Sequence, residues 1–186
     1  MGEFINNLIE IGTARRDAEA AQELANELSE VHRNTYQTDC LIDFVQGDCD
    51  TGLRFNFETE SYNIFLKNLA SKVSLLEFPV VSHYSESFLT RKEKLLSIAF
   101  HEIRHRVQRE GIRLFNPDIR LRKKELQRIL STISLLRGDL FWNNMFIFER
   151  EEFDAQFITA VACHRYRLNY SLMSISKTLR WEPKAK

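Results

Sequence analysis

Two histidines and a glutamate carry the clearest chemistry in the chain. His101-Glu102-Ile103-Arg104-His105 reads HExxH. On an α-helix the two imidazoles lie one turn apart on one face, so both can meet a single metal ion. Glu102 sits at a neighbouring angle, able to reach a metal-bound water without itself being a ligand. Two imidazole ligands beside a carboxylate base are what metal-assisted hydrolysis requires. The competing reading is a polar stripe hydrogen-bonded across a helix pair. Phe100 and Ile103 bury the face, whereas Arg104 and Arg106 put charge where the strictest form of the motif has none.

A catalytic zinc needs a third protein ligand and an open fourth position. The extended motif with Gly at 108 and His at 111 is excluded, because the chain has Gln108 and Gly111. A glutamate on a later helix is the other common solution. The segment from Glu149 to Phe157 is the only acidic cluster after the motif that is embedded in an apolar helix. Glu149, Glu151 and Glu152 are all candidates, although acids at a helix start also suit the macrodipole.

Together the two motifs resemble gluzincin-type zinc metallopeptidases, in the style of the small bacterial and phage-associated HExxH proteins that include the ImmA/IrrE-like group. Those proteins follow the HExxH helix with one reading E-x-x-A-(D/N). Glu152-Phe153-Asp154-Ala155-Gln156 fits, with Gln in the last place. The resemblance implies Zn²⁺ held by His101, His105 and Glu152, with Glu102 as general base. The small Ala155 then lets the second helix come close. Shifting the register to Glu151 puts Asp154 where the Ala belongs, and Glu149 ranks third. The likeness covers only these two short motifs. It implies a zincin-like peptidase that hydrolyses peptide bonds in a peptide or protein substrate. The alternative is a non-catalytic zincin-fold module used for regulation or interaction. In zincin folds an edge strand beside the metal helix pairs with the substrate, and Val80 to Tyr84 is the natural candidate.

Around the motifs, Asp154 and Gln156 are candidates to orient the ligands. His164, Tyr166, Tyr170 and Arg150 flank the second motif as possible oxyanion donors. His164 lies twelve residues past Glu152, about 18 Å along a straight helix, too far to ligate unless the chain turns back. No GxSxG, Walker A, GxGxxG or zinc-deaminase pattern occurs.

The 186 residues suit one ordinary domain. Hydrophobic residues are 44% and charged residues 28%, near globular averages, which excludes disordered and collagen-like classes. A net charge of zero gives no global field toward nucleic acid or membrane. The zero conceals an asymmetry, read as complementary faces of one fold. Residues 1–60 carry thirteen acids against four Arg, and residues 91–137 carry thirteen Lys/Arg against five acids. Cys40, Cys49 and Cys163 are odd in number and widely spaced, so a reducing compartment is expected. With no leader-like N-terminus and no run long enough to span a bilayer, a soluble cytoplasmic protein is the expectation.

Six Gly and three Pro favour helices. The elements expected are a helix capped by Thr13 and ending near His32, a short strand within Asp39 to Val45, and a strand through Leu53, Phe55 and Phe57. Helical spacing then returns from Tyr62 to Val73, followed by the extended piece at Val80. Thr90-Arg91-Lys92-Glu93 is a capping box opening the HExxH helix, which Gly111 closes. A basic amphipathic helix is expected over 117–137, an irregular aromatic stretch over 141–148, and helices over about 147–165 and 170–179. The fold expected is a helix-rich, zincin-like α+β single domain with a small antiparallel or mixed sheet.

Overall fold

The computed structural model describes residues 2–76, 89–110 and 150–181. Among these the chain forms helix α1 (Gly2–Glu10), α2 (Arg15–Tyr36), strands β1 (Leu41–Val45), β2 (Leu53–Asn56) and β3 (Ser61–Phe65), then α3 (Leu69–Leu75), α4 (Arg91–Glu110), α5 (Arg150–Arg167) and α6 (Leu172–Leu179). This is an α+β fold, helix-rich, with a small mixed sheet. The expected extended piece at 80–84 with His83, the helix stop at Gly111, the basic helix over 117–137 and the aromatic stretch over 141–148 all lie outside the described residues.

The sheet has the order β1-β3-β2. β3 is central, parallel to β1 and antiparallel to β2. The helical spacing expected from Tyr62 onward is corrected here: the helix begins only at Leu69. Tyr62 and Ile64 are fully buried while Asn63 between them is not, a period of two that coincides with helical spacing over a few residues. Pairing on both edges of β3 decides between the two. Leu53 and Phe55 are buried and Arg54 exposed, as the alternation in β2 predicts, but Phe57 leaves the strand and is 39% exposed.

The first long helix also differs from expectation. Its N-cap is Ala14, not Thr13, and it runs on to Tyr36, where Gln37 takes a left-handed conformation. The Thr13 hydroxyl accepts instead from Gln46 Nε2 at 2.7 Å. The extra turn past His32 is retained because Thr35 is fully buried. The short α1 before it was not anticipated, although Phe4, Ile5 and Leu8 have helical spacing.

α4 is the central helix. It packs against α2, α3, α5, α6 and β2, and it is buried on nearly every side: Leu95, Ile98, Ala99, Phe100, Ile103 and Val107 are 3% exposed or less. Its start is the expected capping box. The Thr90 N–H donates to Glu93 Oε2 at 2.8 Å and the Glu93 N–H to Thr90 Oγ1 at 3.3 Å. Arg91 pairs with Glu23 at 2.6 Å and Lys92 with Glu27 at 3.5 Å, so the acidic face of α2 meets the basic start of α4. No helix among the described residues is long and apolar enough to cross a membrane.

Between α2 and the sheet, an Arg106 N–H donates to the Tyr62 hydroxyl, which donates onward to His32 Nδ1 at 3.2 Å. His32 Nε2 then faces Thr38 Oγ1 at 3.4 Å. This order requires a neutral imidazole. Burial, followed by the nearby Arg106 cation, pushes His32 down to about 4. The folded state therefore binds fewer protons than the unfolded state between about pH 6.5 and 4. Its contribution is complete above pH 6.5 and is lost as pH falls through that window, by at most about 3 kcal/mol. Urea unfolding with a chelator present across this window should show such a loss in the wild type, and His32→Gln should lack that component of the slope.

Candidate metal centre

α4 turns His101 and His105 toward α5, where Glu152 faces them. Among the described residues these three form a cluster able to hold a metal ion. His101 Nε2 lies 3.0 Å from Glu152 Oε1, and His105 Nε2 lies 3.0 Å from Glu152 Oε2. The two Nε2 atoms are themselves 3.0 Å apart, with the rings crossed at 88°. Ligands at 2.0–2.1 Å from a tetrahedral zinc are spaced by ~3.3 Å; the two imidazole nitrogens are close to that spacing, and each faces its own oxygen of Glu152. Glu149 lies outside the described residues, as does the side chain of Glu151.

Proton placement strengthens the fit. Asp154 Oδ2 accepts from Arg104 Nε at 2.6 Å and from Gln108 Nε2 at 2.7 Å. The anionic Asp154 thereby orients the Gln108 amide, whose Oε1 then faces His105 Nδ1 at 2.9 Å. That contact is a hydrogen bond only if Nδ1 carries the proton, which leaves the His105 Nε2 lone pair directed at Glu152 and His101. Acceptors converging on one point repel one another unless a cation or protons lie between them. In the absence of metal, protons serve. Burial opposes ionisation of Glu152, but hydrogen bonds from His101 and His105 outweigh it and hold the carboxyl well below its usual range. Burial likewise opposes charging of His105, but the Glu152 hydrogen bond and the Glu102 charge raise it.

Glu102 stands apart from this cluster, 8% exposed. Burial pushes it up, against the attraction of His101 and His105 and a hydrogen bond from the Phe55 backbone N–H. The strand explains that bond. The Gly52 carbonyl accepts from the Phe65 N–H at 2.9 Å, and antiparallel alternation then directs the Phe55 amide away from β3, toward α4. A cleft of about 540 Å³ opens here, with His101, Glu102, His105 and Glu152 along one side and residues of the 49–57 segment along the other.

The approach of α5 depends on its sequence. Glu152, Ala155, Gln156 and Thr159 fall on one face at i, i+3, i+4 and i+7, and Ala155 and Thr159 are fully buried. Of the two candidate orienting residues, Asp154 acts on His105 through Gln108, while Gln156 Nε2 contacts Glu152 Oε1 at 3.4 Å. Of the candidate oxyanion donors, Tyr166 and Tyr170 pack against the core, none of His164, Tyr166 and Tyr170 is among the residues lining the cleft, and the Arg150 side chain lies outside the described residues. The sequence reading missed Gln108, Arg104 and the wall formed by β2. Gln108 was discoverable, being at i+3 from His105; nothing local in the sequence pointed to the wall.

Arg104, only 4% exposed, also donates to the Leu179 carbonyl at 2.9 Å, so it ties α4 to both α5 and α6. Removing its counter-charge should be costly. Asp154→Ala should lose roughly 3–5 kcal/mol of stability in urea unfolding. Gln108→Ala should leave the metal-free fold close to wild type but weaken zinc affinity by about 10–100-fold in chelator competition.

No protein-family model, curated protein or solved structure matches the chain.

Proposed function

We propose that the protein is a zinc-dependent peptidase in which His101, His105 and Glu152 hold Zn²⁺ and Glu102 is the general base. The observation that carries this reading is the convergence of two imidazoles and one carboxylate, the two Nε2 atoms 3.0 Å apart and each 3.0 Å from a different oxygen of Glu152, with a second, buried carboxylate, Glu102, beside them that is not part of the cluster. Zinc held there would supply Lewis acidity to activate a water and polarise the scissile carbonyl. The Glu102 carboxylate takes the proton from the attacking water and passes it to the leaving amine as the C–N bond breaks. Its raised affinity for a proton, caused first by burial, suits a group that must hold one between the two steps. The Phe55 N–H orients the carboxylate, and the Gln108–Asp154–Arg104 chain keeps the His105 lone pair on the metal side. The substrate is a peptide or unstructured protein lying in the cleft between α4 and the 49–57 segment. A reducing, cytoplasmic setting accords with the three free thiols.

Purified protein should contain stoichiometric zinc. His101→Ala, His105→Ala and Glu152→Ala should each lower that content sharply. Glu102→Gln should keep the metal and lose roughly 10²–10⁴-fold in cleavage of an unstructured protein. Equal metal loss in all four variants would mean that the roles are wrongly assigned. Stoichiometric zinc without cleavage would favour the non-catalytic module instead.

A further inference from the structure

The cleft carries more positive charge than the proposed chemistry uses. Along α4, Arg104 is neutralised by Asp154 and Arg106 by Glu110. Arg106 is also held against the rings of Tyr36 and Phe55 at 4.4 and 4.3 Å. Arg109 differs. It is exposed, forms no ion pair among the described residues, and its guanidinium lies 5.4 Å from the centre of the Phe57 ring. Arg54, across the cleft on β2, is also exposed and without an ion pair among the described residues. Both line the same cleft as the candidate metal ligands.

The spacing relates Arg109 to the reacting centre. His101, His105 and Arg109 follow one another at i, i+4 and i+8, forming a row along one face of α4. Arg109 is thus one turn, about 6 Å of helix rise, beyond the second histidine. An extended peptide advances about 3.3 Å per residue, which puts a group one or two residues from the scissile carbonyl within its reach. Phe57 lies beside this guanidinium, and no ion pair among the described residues occupies its N–H groups, whose planar fork suits a carboxylate partner. The β2 edge does not offer an equivalent main-chain site. Its Phe55 N–H is taken by Glu102 and its Leu53 carbonyl accepts from Thr51 Oγ1 at 2.8 Å.

We infer that Arg109, assisted by Arg54, is a carboxylate-docking subsite of this cleft, so that the preferred substrate presents a carboxylate one or two residues from the bond to be cut. The inference rests on the peptidase reading for the identity of the ligand as a peptide. A C-terminal α-carboxylate and an acidic side chain offer the same chemistry, and the test separates them.

The experiment measures peptide binding by calorimetry to zinc-loaded Glu102→Gln protein, which holds the substrate without turning it over. Four versions of one short peptide are compared: with Glu or Gln inside it, and with a free or amidated C-terminus. The same set is run on Glu102→Gln combined with Arg109→Gln, Arg109→Lys or Arg54→Gln. One of the two carboxylate substitutions should tighten binding by about tenfold, and which one does so identifies the source. Arg109→Gln should abolish that advantage, Arg109→Lys should restore part of it, and Arg54→Gln should reduce it. Added salt should shrink it. Equal binding of all four peptides, no binding of any, or an advantage that survives Arg109→Gln would overturn the subsite. Zinc content of the same samples reports separately on the metal centre. Stoichiometric zinc without carboxylate preference sinks the subsite alone, and a carboxylate preference in protein that takes up no zinc sinks the metal centre alone.

Discussion

Everything in this fold turns on the pairing of α4 with α5, because α4 takes ionisable side chains into the interior. Within five residues it places His101, Glu102 and Arg104 at 8% exposure or less, with His105 only partly exposed. Charges removed from water cost several kcal/mol each unless they find partners. α5 supplies those partners in one turn: Glu152 for the two imidazoles and Asp154 for Arg104 and Gln108. The small, buried Ala155 and Thr159 on the Glu152 face allow the approach. Close helix packing and charge compensation are therefore mutually dependent, and neither is stable without the other.

The same economy explains the arginines of the HExxH helix. Charged residues inside and beside the motif look like a departure from the metallopeptidase pattern. Arg104 points away from the imidazoles, to Asp154 and the end of α6, where it fixes the neighbour that fixes the His105 tautomer. Arg106 points to the sheet, over Tyr36 and Phe55, and its charge adds to burial in keeping His32 neutral. One arginine thus supports the ligand side of the site and the other supports the strand side. Arg109, a turn further on, carries the charge that the scaffold does not consume.

β2 reaches the site from the other direction. Its pairing with β3 decides which of its amides face outward, and the Phe55 N–H meets Glu102 as a consequence. A carboxylate held by a backbone donor is less free to rotate than one held by a side chain, and its burial raises its affinity for a proton. The cleft thereby has one side made of helices, with the candidate ligands, and an opposing side made of the 49–57 segment, linked by the Phe55 N–H to Glu102 and by Arg106 against Phe55.

By itself the sequence singled out the candidate residues His101, Glu102, His105 and Glu152 and determined the local frame of α4. HExxH, the Thr90–Glu93 capping box and the Glu152/Ala155 spacing are short-range patterns, and helical periodicity alone puts His101 with His105 and Glu152 with Ala155. Tertiary structure decided what local periodicity cannot encode. Tyr62 to Leu66 satisfies helical and strand spacing alike, and only pairing on both edges made it the central strand. α2 outran its expected end because Thr35 found burial against distant residues. Arg104 with Asp154, and Phe55 with Glu102, are separated by about fifty residues of chain. Their meeting depends on how α4, α5 and the sheet pack, a matter of shape and desolvation summed over the whole interior rather than of any local code.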